Sequence, residues 1–190
     1  MRDLLFLDVE TTGLDAKTNS VLSIGAIRTD DTGQIVKATL NVKVKPTTPV
    51  DPRAAAVNGY TEEKWADAQD PDIAAGALAS LAQGTQIVGH CVWFDEGFCR
   101  ALLNANGHAA PWDHRWVDTQ SLAHLLKARY PELKYTSLQA VCDVMGWGRN
   151  TKHDAYEDAE LARQLYLTAR RLVAEGGGEV ESMAARDPAA

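Results

Sequence analysis

The sequence predicts an α/β protein in which a mixed β-sheet is flanked by helices. Three strand patterns come first along the chain, and alternating helix and strand patterns follow them, an order typical of this class. The length of 190 residues is that of about one domain. Hydrophobic residues make up 45% and charged residues 24%, as in ordinary globular proteins. This composition excludes a disordered chain, a collagen-like chain and a disulfide scaffold.

The first three strands follow from runs of apolar residues. Residues 4–9 form a short apolar run typical of a buried strand. Residues 21–28 and 35–44 are further strand candidates, and the turn at residues 30–33, Asp-Asp-Thr-Gly, joins them. Two such runs joined by a tight turn predict an antiparallel hairpin, so we expect the second strand to be antiparallel to its neighbour.

The middle of the chain changes from strands to helices. Three prolines at residues 46, 49 and 52 predict an interruption of regular structure. Pro71 begins a stretch with apolar residues at helical spacing, which predicts a helix. Residues 86–89 predict a strand, and a helix is expected from about residue 95 to 106, where Gly107 would end it.

The last third contains one short strand and three helices. Residues 116–118 predict the strand, and a helix follows through Leu126. Residues 138–145 have apolar side chains at helical spacing, and so do residues 154–174, where alanine and leucine dominate the apolar stripe.

One domain and a short tail are predicted. Glycines at 176–178 mark a break in composition, and residues 179–190 have almost no large apolar residues. We therefore expect a domain over residues 1–175 and a flexible tail over residues 176–190. No apolar run approaches the roughly 20 residues of a membrane span, and acids interrupt the N-terminal run, unlike a signal peptide.

The three cysteines, Cys91, Cys99 and Cys142, favour a cytoplasmic protein with reduced thiols. Their number is odd and no pair has C-x-x-C spacing, which argues against a disulfide framework or a thiolate zinc site. The chain has 19 lysines and arginines, 26 aspartates and glutamates and a net charge of −7. This balance argues against a protein that coats nucleic acid by bulk charge, although an enzyme that handles nucleic acid locally stays open.

Acidic residues end the first, otherwise apolar strand. Asp8 and Glu10 are two residues apart, so both side chains leave the same face of the strand. Adjacent carboxylates repel each other unless a cation lies between them. Thr11, Thr12 and Gly13 follow, and hydroxyls with a glycine suit close approach of the backbone to a ligand. A solvated strand end is the alternative interpretation of the two acids.

Two further acidic positions lie at helix starts. Asp95 follows the strand at residues 86–89, where an isolated aspartate would be a helix N-cap. His153 and Asp158 lie at the start of the last helix, where acids also complement the helix dipole. Carboxylates from these elements can converge in one cleft, and an all-oxygen site suits Mg²⁺ or Mn²⁺. Two such ions are the usual device for phosphodiester hydrolysis, with a histidine able to deprotonate the attacking water.

Three motifs together resemble the DEDDh group of DnaQ-like 3′–5′ exonucleases, which includes the proofreading epsilon subunit of DNA polymerase III and ribonuclease T. The first motif is matched by residues 8–14, Asp-Val-Glu-Thr-Thr-Gly-Leu, and the second by residues 88–95, ending in Asp95. The third, H-x₄-D, is matched by residues 153–158. The resemblance spans about residues 3 to 174. Asn58 and Cys91 depart from it, since the family often has His and Asn there.

The resemblance implies a ribonuclease H-like fold, with a five-stranded sheet of order 3-2-1-4-5 and the first strand central. It also implies that two Mg²⁺ or Mn²⁺ ions are held by four carboxylates: Asp8, Glu10, Asp95 and Asp158. His153 would be the general base. The terminal nucleotide would be cradled by Thr11, Thr12, Gly13 and Leu14, with Leu14 wedging its base. Further candidates for substrate contact are Asn58, His90, Trp93 and Phe94. An aromatic residue in the position of Trp93 is as often simply packed, and Phe94 is more typical of a core residue than of a substrate contact.

The activity implied is that of a metal-dependent 3′–5′ exonuclease that releases nucleoside 5′-monophosphates from single-stranded DNA or RNA. A homodimer or a polymerase partner is expected, and no membrane. Two alternatives stay open: a catalytically silent module that tethers a polymerase or nucleic acid, and a phosphodiesterase for short RNA or nucleotides with the same site. No motif chooses between DNA and RNA, because no residue is identified as a contact to the 2′-hydroxyl.

Overall fold

The structure is a computed structural model that describes residues 2–148 and 153–176. Its centre is one five-stranded sheet in the order β3-β2-β1-β4-β5, which confirms the predicted strand order. The strands are β1 (Leu4–Thr11), β2 (Val21–Thr29), β3 (Val36–Lys43), β4 (Gln86–Gly89) and β5 (Val117–Asp118).

Strand pairing gives the mixed sheet of the ribonuclease H-like fold. Strand β2 is antiparallel to both β1 and β3, while β1–β4 and β4–β5 are parallel pairs. The hairpin turn between β2 and β3 is stabilised by Asp30, whose side chain accepts hydrogen bonds from the backbone N–H groups of Gln34 and Ile35. The antiparallel second strand predicted from the sequence is therefore confirmed.

Six helices are found in the described segments: α1 (Pro52–Asn58), α2 (Pro71–Leu81), α3 (Val92–Ala105), α4 (Thr119–Leu126), α5 (Leu138–Met145) and α6 (Ala155–Gly176). The three prolines at residues 46, 49 and 52 predict an interruption of regular structure, and for Pro52 this prediction was wrong. Pro52 begins α1, since proline lacks only an N–H group that the first helical turn leaves unpaired. The prediction that the third helix begins at about residue 95 was also wrong, because α3 begins at Val92.

Strand β1 is buried on both faces. Leu5 and Leu7 pack into the core that α2 and α3 cover, whereas Leu4 and Phe6 pack on the opposite face, against Ala159 of α6. Because both faces of β1 are covered, its sequence is a continuous apolar run rather than an alternating one.

The start of α6 lies directly against β2. A Cβ atom built on Gly25 would lie 2.2 Å from the backbone carbonyl of Ala155, closer than any real Cβ contact. Gly25 pairs with Asp8 across the β1–β2 ladder, so the missing side chain is next to Asp8. The glycine therefore lets the first turn of α6 approach the acidic end of β1.

Of the predicted tail at residues 176–190, residues 177–190 lie outside the described residues, so the domain boundary stays a prediction. Among the helices that the structure describes, none combines the length and the apolar character needed to cross a bilayer.

Candidate active site

A cavity of about 620 Å³ opens at the C-terminal end of β1. It brings together side chains from β1 and the following loop, from α1, from the start of α3 and from the start of α6. Most of the site residues predicted from the sequence line it: Asp8, Glu10, Thr11, Gly13, Leu14, Asn58, His90, Phe94, Asp95, His153 and Asp158. Three distant parts of the chain therefore converge as the sequence predicts.

Asp8 and Glu10 lie on the α6 face of the sheet. They continue the face of Leu4 and Phe6, which pack against α6. The β1–β2 register shifts between Glu10 and Thr11. Such a bulge redirects the side chains at the strand end. Glu10 is 8% exposed, so its carboxylate lies within the protein rather than at a solvated strand end.

Asp95 joins α3 to β1. Its Oδ1 accepts a hydrogen bond of 3.1 Å from the backbone N–H of Val9, beyond Phe6, where the pairing of β1 with β4 ends. Burial raises the pKa of Asp95 well above its ordinary range, and the charges of Glu10 and Asp118 add to the rise, against the opposing effect of the Val9 N–H. The site thus concentrates negative charge that a bound cation would relieve.

Asp95 lies in the first turn of α3, at the helix start as predicted, but it is not the N-cap residue that an isolated aspartate would be. Cys91 is the N-cap residue of α3 and has a left-handed backbone, with φ of 63°. Its N–H donates to Oδ1 of Asp118 at 3.1 Å. Burial, together with the charges of Asp118 and Asp95, raises the pKa of the Cys91 thiol, so it is protonated at neutral pH.

His153 and Asp158 approach Glu10 from α6 and the residues before it. One ligand atom from each of these three residues lies within 4.8 Å of the other two. Nδ1 of His153 is 3.6 Å from Oδ2 of Asp158. The His153 side chain is 46% exposed, whereas that of Asp158 is 4% exposed. A buried carboxylate and a solvent-accessible imidazole are thus held side by side.

Helix α1, which the sequence patterns did not predict, is hydrogen-bonded to both the first motif and the third. The backbone N–H of Asp51 donates to the Thr12 carbonyl at 2.8 Å, and the Asn58 amide donates to the Thr11 carbonyl at 3.2 Å. The Val57 carbonyl accepts from the N–H of His153 at 3.3 Å. The pair Asp51-Pro52, an N-cap followed by proline, was the available signal for this helix.

Of three residues predicted to contact the substrate, Thr12, Leu14 and Trp93, only Leu14 lines the cavity. Thr12 is fully buried, and its hydroxyl bonds to Thr48 and Ser20 away from the cavity, so it shapes the loop. Leu14 lines the cavity and is 87% exposed. Trp93 lies outside the cavity lining, with its ring 6.0 Å from that of Phe94 in an edge-on arrangement.

His90 faces the cavity from the end of β4. Its Nδ1 lies 3.0 Å from the hydroxyl of Thr119, which donates to the Gly89 carbonyl at 3.1 Å. This chain of contacts fixes the imidazole ring against α4 and β4. His90 is therefore held by the scaffold, and it is less exposed than His153.

The fold and the acidic cavity together define a nuclease of the DnaQ-like class. The chain belongs to the exonuclease family named for ribonuclease T, whose model, described as "Exonuclease", matches residues 5–166. The resemblance stated from the three sequence motifs is thereby confirmed.

Individual relatives share this domain. The chain is 31% identical over 176 residues to DNA polymerase III subunit epsilon of Pasteurella multocida, an alignment that covers 86% of the chain and 66% of the relative. It is 29% identical over 161 residues to the PolC-type DNA polymerase III of Thermotoga petrophila, covering 85% of the chain but 11% of the relative. The chain thus spans from about a tenth to about two thirds of these relatives.

Solved structures show the same fold. Exonuclease I of E. coli in complex with a dT13 oligonucleotide superposes with a TM-score of 0.80 at 21% sequence identity. The match covers 92% of this chain and 42% of that chain. The sheet and its helices are therefore those of a ribonuclease H-like exonuclease.

Proposed function

We propose that this protein is a metal-dependent 3′–5′ exonuclease that hydrolyses the terminal phosphodiester bond of single-stranded nucleic acid and releases nucleoside 5′-monophosphates. One observation carries the proposal: Glu10, His153 and Asp158 bring ligand atoms within 4.8 Å of one another, in a cavity that Asp8 and Asp95 also line. A silent binding module has no need of this convergence.

The carboxylates fit a pair of hard divalent cations. Asp8, Glu10, Asp95 and Asp158 would hold Mg²⁺ or Mn²⁺, since both ions prefer oxygen ligands. Burial, with a smaller contribution from the charges of Glu10 and Asp118, raises the pKa of Asp95, and a bound cation would favour its charged form. When bound, such ions activate water and stabilise charge on the phosphoryl and leaving oxygens.

His153 is suited to the role of general base. Its imidazole is exposed enough to meet a water molecule, and its backbone is fixed to the Val57 carbonyl. Proton uptake by the ring creates a cation next to the buried carboxylate of Asp158, which stabilises that charge. The histidine can therefore take a proton from the attacking water.

The remaining cavity walls suit one nucleotide. A volume of about 620 Å³ lies within the range of small-molecule sites. Leu14 and Val57 offer apolar surface for a base, while Thr11, Gly13 and Asn58 offer polar and backbone contacts, with His90 and Phe94 on the α3 side. Trp93, outside this lining, is proposed only as a stacking surface for a base further along the strand.

The relatives suggest where such an activity acts. Two are a subunit and a type of DNA polymerase III, and a structural neighbour was solved with a single-stranded oligonucleotide. We therefore propose the 3′ ends of single-stranded DNA or RNA as substrate, in the cytoplasm, with a polymerase subunit or a second copy of the chain as partner.

The deciding experiment is a parallel digestion of 5′-labelled single-stranded DNA, double-stranded DNA and single-stranded RNA of one sequence, together with dinucleotides, with Mg²⁺ or Mn²⁺ and with chelator. We expect a ladder that shortens one nucleotide at a time and stops with chelator. Immediate release of the labelled 5′ nucleotide would contradict the direction. Cleavage of dinucleotides alone would favour the phosphodiesterase alternative, and no cleavage of any substrate would favour the silent module.

A further inference from the structure

The cavity has a charged feature besides the acid cluster, a single arginine on its wall. Five carboxylates of described residues line the cavity: Asp8, Glu10, Asp51, Asp95 and Asp158. Among the described lining residues, Arg53 is the one lysine or arginine. A polyanionic strand is repelled by an acid-lined cavity unless positive charges offset the carboxylates. The position of this guanidinium therefore matters for binding.

Arg53 is oriented at the N-terminus of α1. Its Nε and Nη2 donate to the two carboxylate oxygens of Asp51 at 3.3 and 3.0 Å. The hydrogen bonds from Arg53 lower the pKa of Asp51, so the pair is charged at neutral pH. Because the Asp51 N–H is bonded to the Thr12 carbonyl, the guanidinium is fixed relative to the loop that follows β1.

The second edge of the guanidinium is available. Nη1 makes no hydrogen bond to any residue of segments 2–148 and 153–176, and the Arg53 side chain is 92% exposed. A planar guanidinium with one free edge matches two oxygens of a phosphate group. An exposed Asp–Arg pair contributes little to the free energy of unfolding, so folding stability does not explain the position of this arginine.

The location of Arg53 indicates which phosphate it meets. Arg53 and Val57 are four residues apart, so they share one face of α1, and both line the cavity. The Val57 carbonyl contacts His153, the proposed base. Arg53 thus lies about 6 Å along the helix axis from Val57, whose carbonyl holds His153. If His153 acts on the reacting phosphodiester, as the proposed function has it, Arg53 is placed to meet a neighbouring phosphate.

We propose that Arg53, oriented by Asp51, forms a subsite for a phosphodiester of the bound strand that neighbours the reacting one. The inference rests on the proposed exonuclease function and narrows its substrate class. A strand with two or more phosphodiesters gains this contact, whereas a nucleotide ester with a single phosphodiester does not.

The test compares two arginine variants that differ in their position relative to the cavity. Arg53→Gln removes the proposed contact. Arg115→Gln is the matched control, because Arg115 makes the same pair with the carboxylate two residues earlier, Asp113, at 2.9 and 3.1 Å. Arg115 is also exposed and lies outside the cavity lining. Both variants are assayed on a single-stranded DNA oligonucleotide and on the p-nitrophenyl ester of thymidine 5′-monophosphate.

We expect Arg53→Gln to raise KM for the oligonucleotide about three- to tenfold with little change in kcat. The slope of log KM against log salt concentration falls by about 0.7, the value for one phosphate contact on a single strand. Hydrolysis of the ester is unchanged, and Arg115→Gln matches the wild type on both substrates. Equal shifts in the two variants, or an equal rise in KM for the ester, overturn the subsite.

A binding measurement separates this proposal from the proposed function. Fluorescence anisotropy of a labelled oligonucleotide in Ca²⁺ reports affinity without requiring turnover. If the wild type cleaves neither substrate, the exonuclease proposal fails, while weaker binding by Arg53→Gln than by Arg115→Gln still supports the subsite. If the wild type cleaves both substrates and Arg53→Gln behaves identically, the subsite alone is refuted.

Discussion

Replacing Gly25 by alanine tests how closely α6 must approach the sheet. The new Cβ would lie 2.2 Å from the carbonyl of Ala155 and 2.3 Å from the N atom of Tyr156, whereas ordinary contact begins at about 3.4 Å. The start of α6 must therefore move by more than 1 Å, and Asp158 moves with it. Overpacking of this size costs about 1–3 kcal/mol of the free energy of unfolding. A misplacement of about 1 Å in a catalytic group lowers the rate by about 10²-fold.

The assay measures kcat on a single-stranded oligonucleotide and unfolding in urea for Gly25→Ala and for a matched control, Gly76→Ala. Gly76 lies in α2, and the nearest atom to its added Cβ is 4.0 Å away, on His108. The control is expected to be about 0.5–1 kcal/mol more stable, because alanine favours the helix, and to keep full activity. Wild-type kcat in Gly25→Ala would refute the inference that the contact between α6 and β2 positions the site.

Other predictions concern the site and one ion-pair cluster. Asp8→Ala is expected to abolish turnover. The metal-free variant should stay at least as stable as the wild type in urea unfolding, because carboxylate repulsion is relieved. Cleavage at the wild-type rate by this variant would contradict the proposed role of Asp8 as a metal ligand. Mn²⁺ at about 100 times its Kd should stabilise the wild type by about 2.7 kcal/mol, seen as a rise in Tm, with a smaller rise in Asp8→Ala. His153→Ala should lower kcat by about 10²–10⁴-fold, and a change confined to KM contradicts its role as base. Lys37 and Arg28 lower the pKa of Asp3, so the stability from this cluster is present above the ordinary value of 3.8 and is lost as pH falls through the depressed value. Asp3→Asn should therefore lower the free energy of unfolding by about 0.5–1 kcal/mol at pH 7. The difference from the wild type should disappear in acid, which urea unfolding measured from neutral to acidic pH checks.

The sequence predicted the sheet because its strands carry local signals. The apolar run of β1 and the turn that begins at Asp30 are each readable within about ten residues, and so are the acids that end β1. Helix α1 is not predicted when proline is treated only as a residue that interrupts regular structure. Pro52 follows the capping residue Asp51, and at that position proline favours a helix.

Other features of the site depend on contacts between distant residues, which a local pattern does not contain. The Thr12 hydroxyl belongs to the first motif, yet it turns to Thr48, 36 residues away. The role of Gly25 depends on the backbone of Ala155. Arg53 lines the cavity only because α1 is folded against it, and no local pattern around residue 53 predicts this position. Motif spacing predicted which acids and which histidine converge in the cavity, but not the elements that hold them.

The placement of α6 on β1 and β2 has a consequence for biosynthesis. Asp8 is synthesised before His153 and Asp158, which follow it along the chain by 145 and 150 residues. Contacts of such long range form late, after the local hairpin of β2 and β3. Until α6 has been made and has docked on the sheet, a nascent chain contains Asp8 and Glu10 without His153 and Asp158, so the acidic cavity is incomplete.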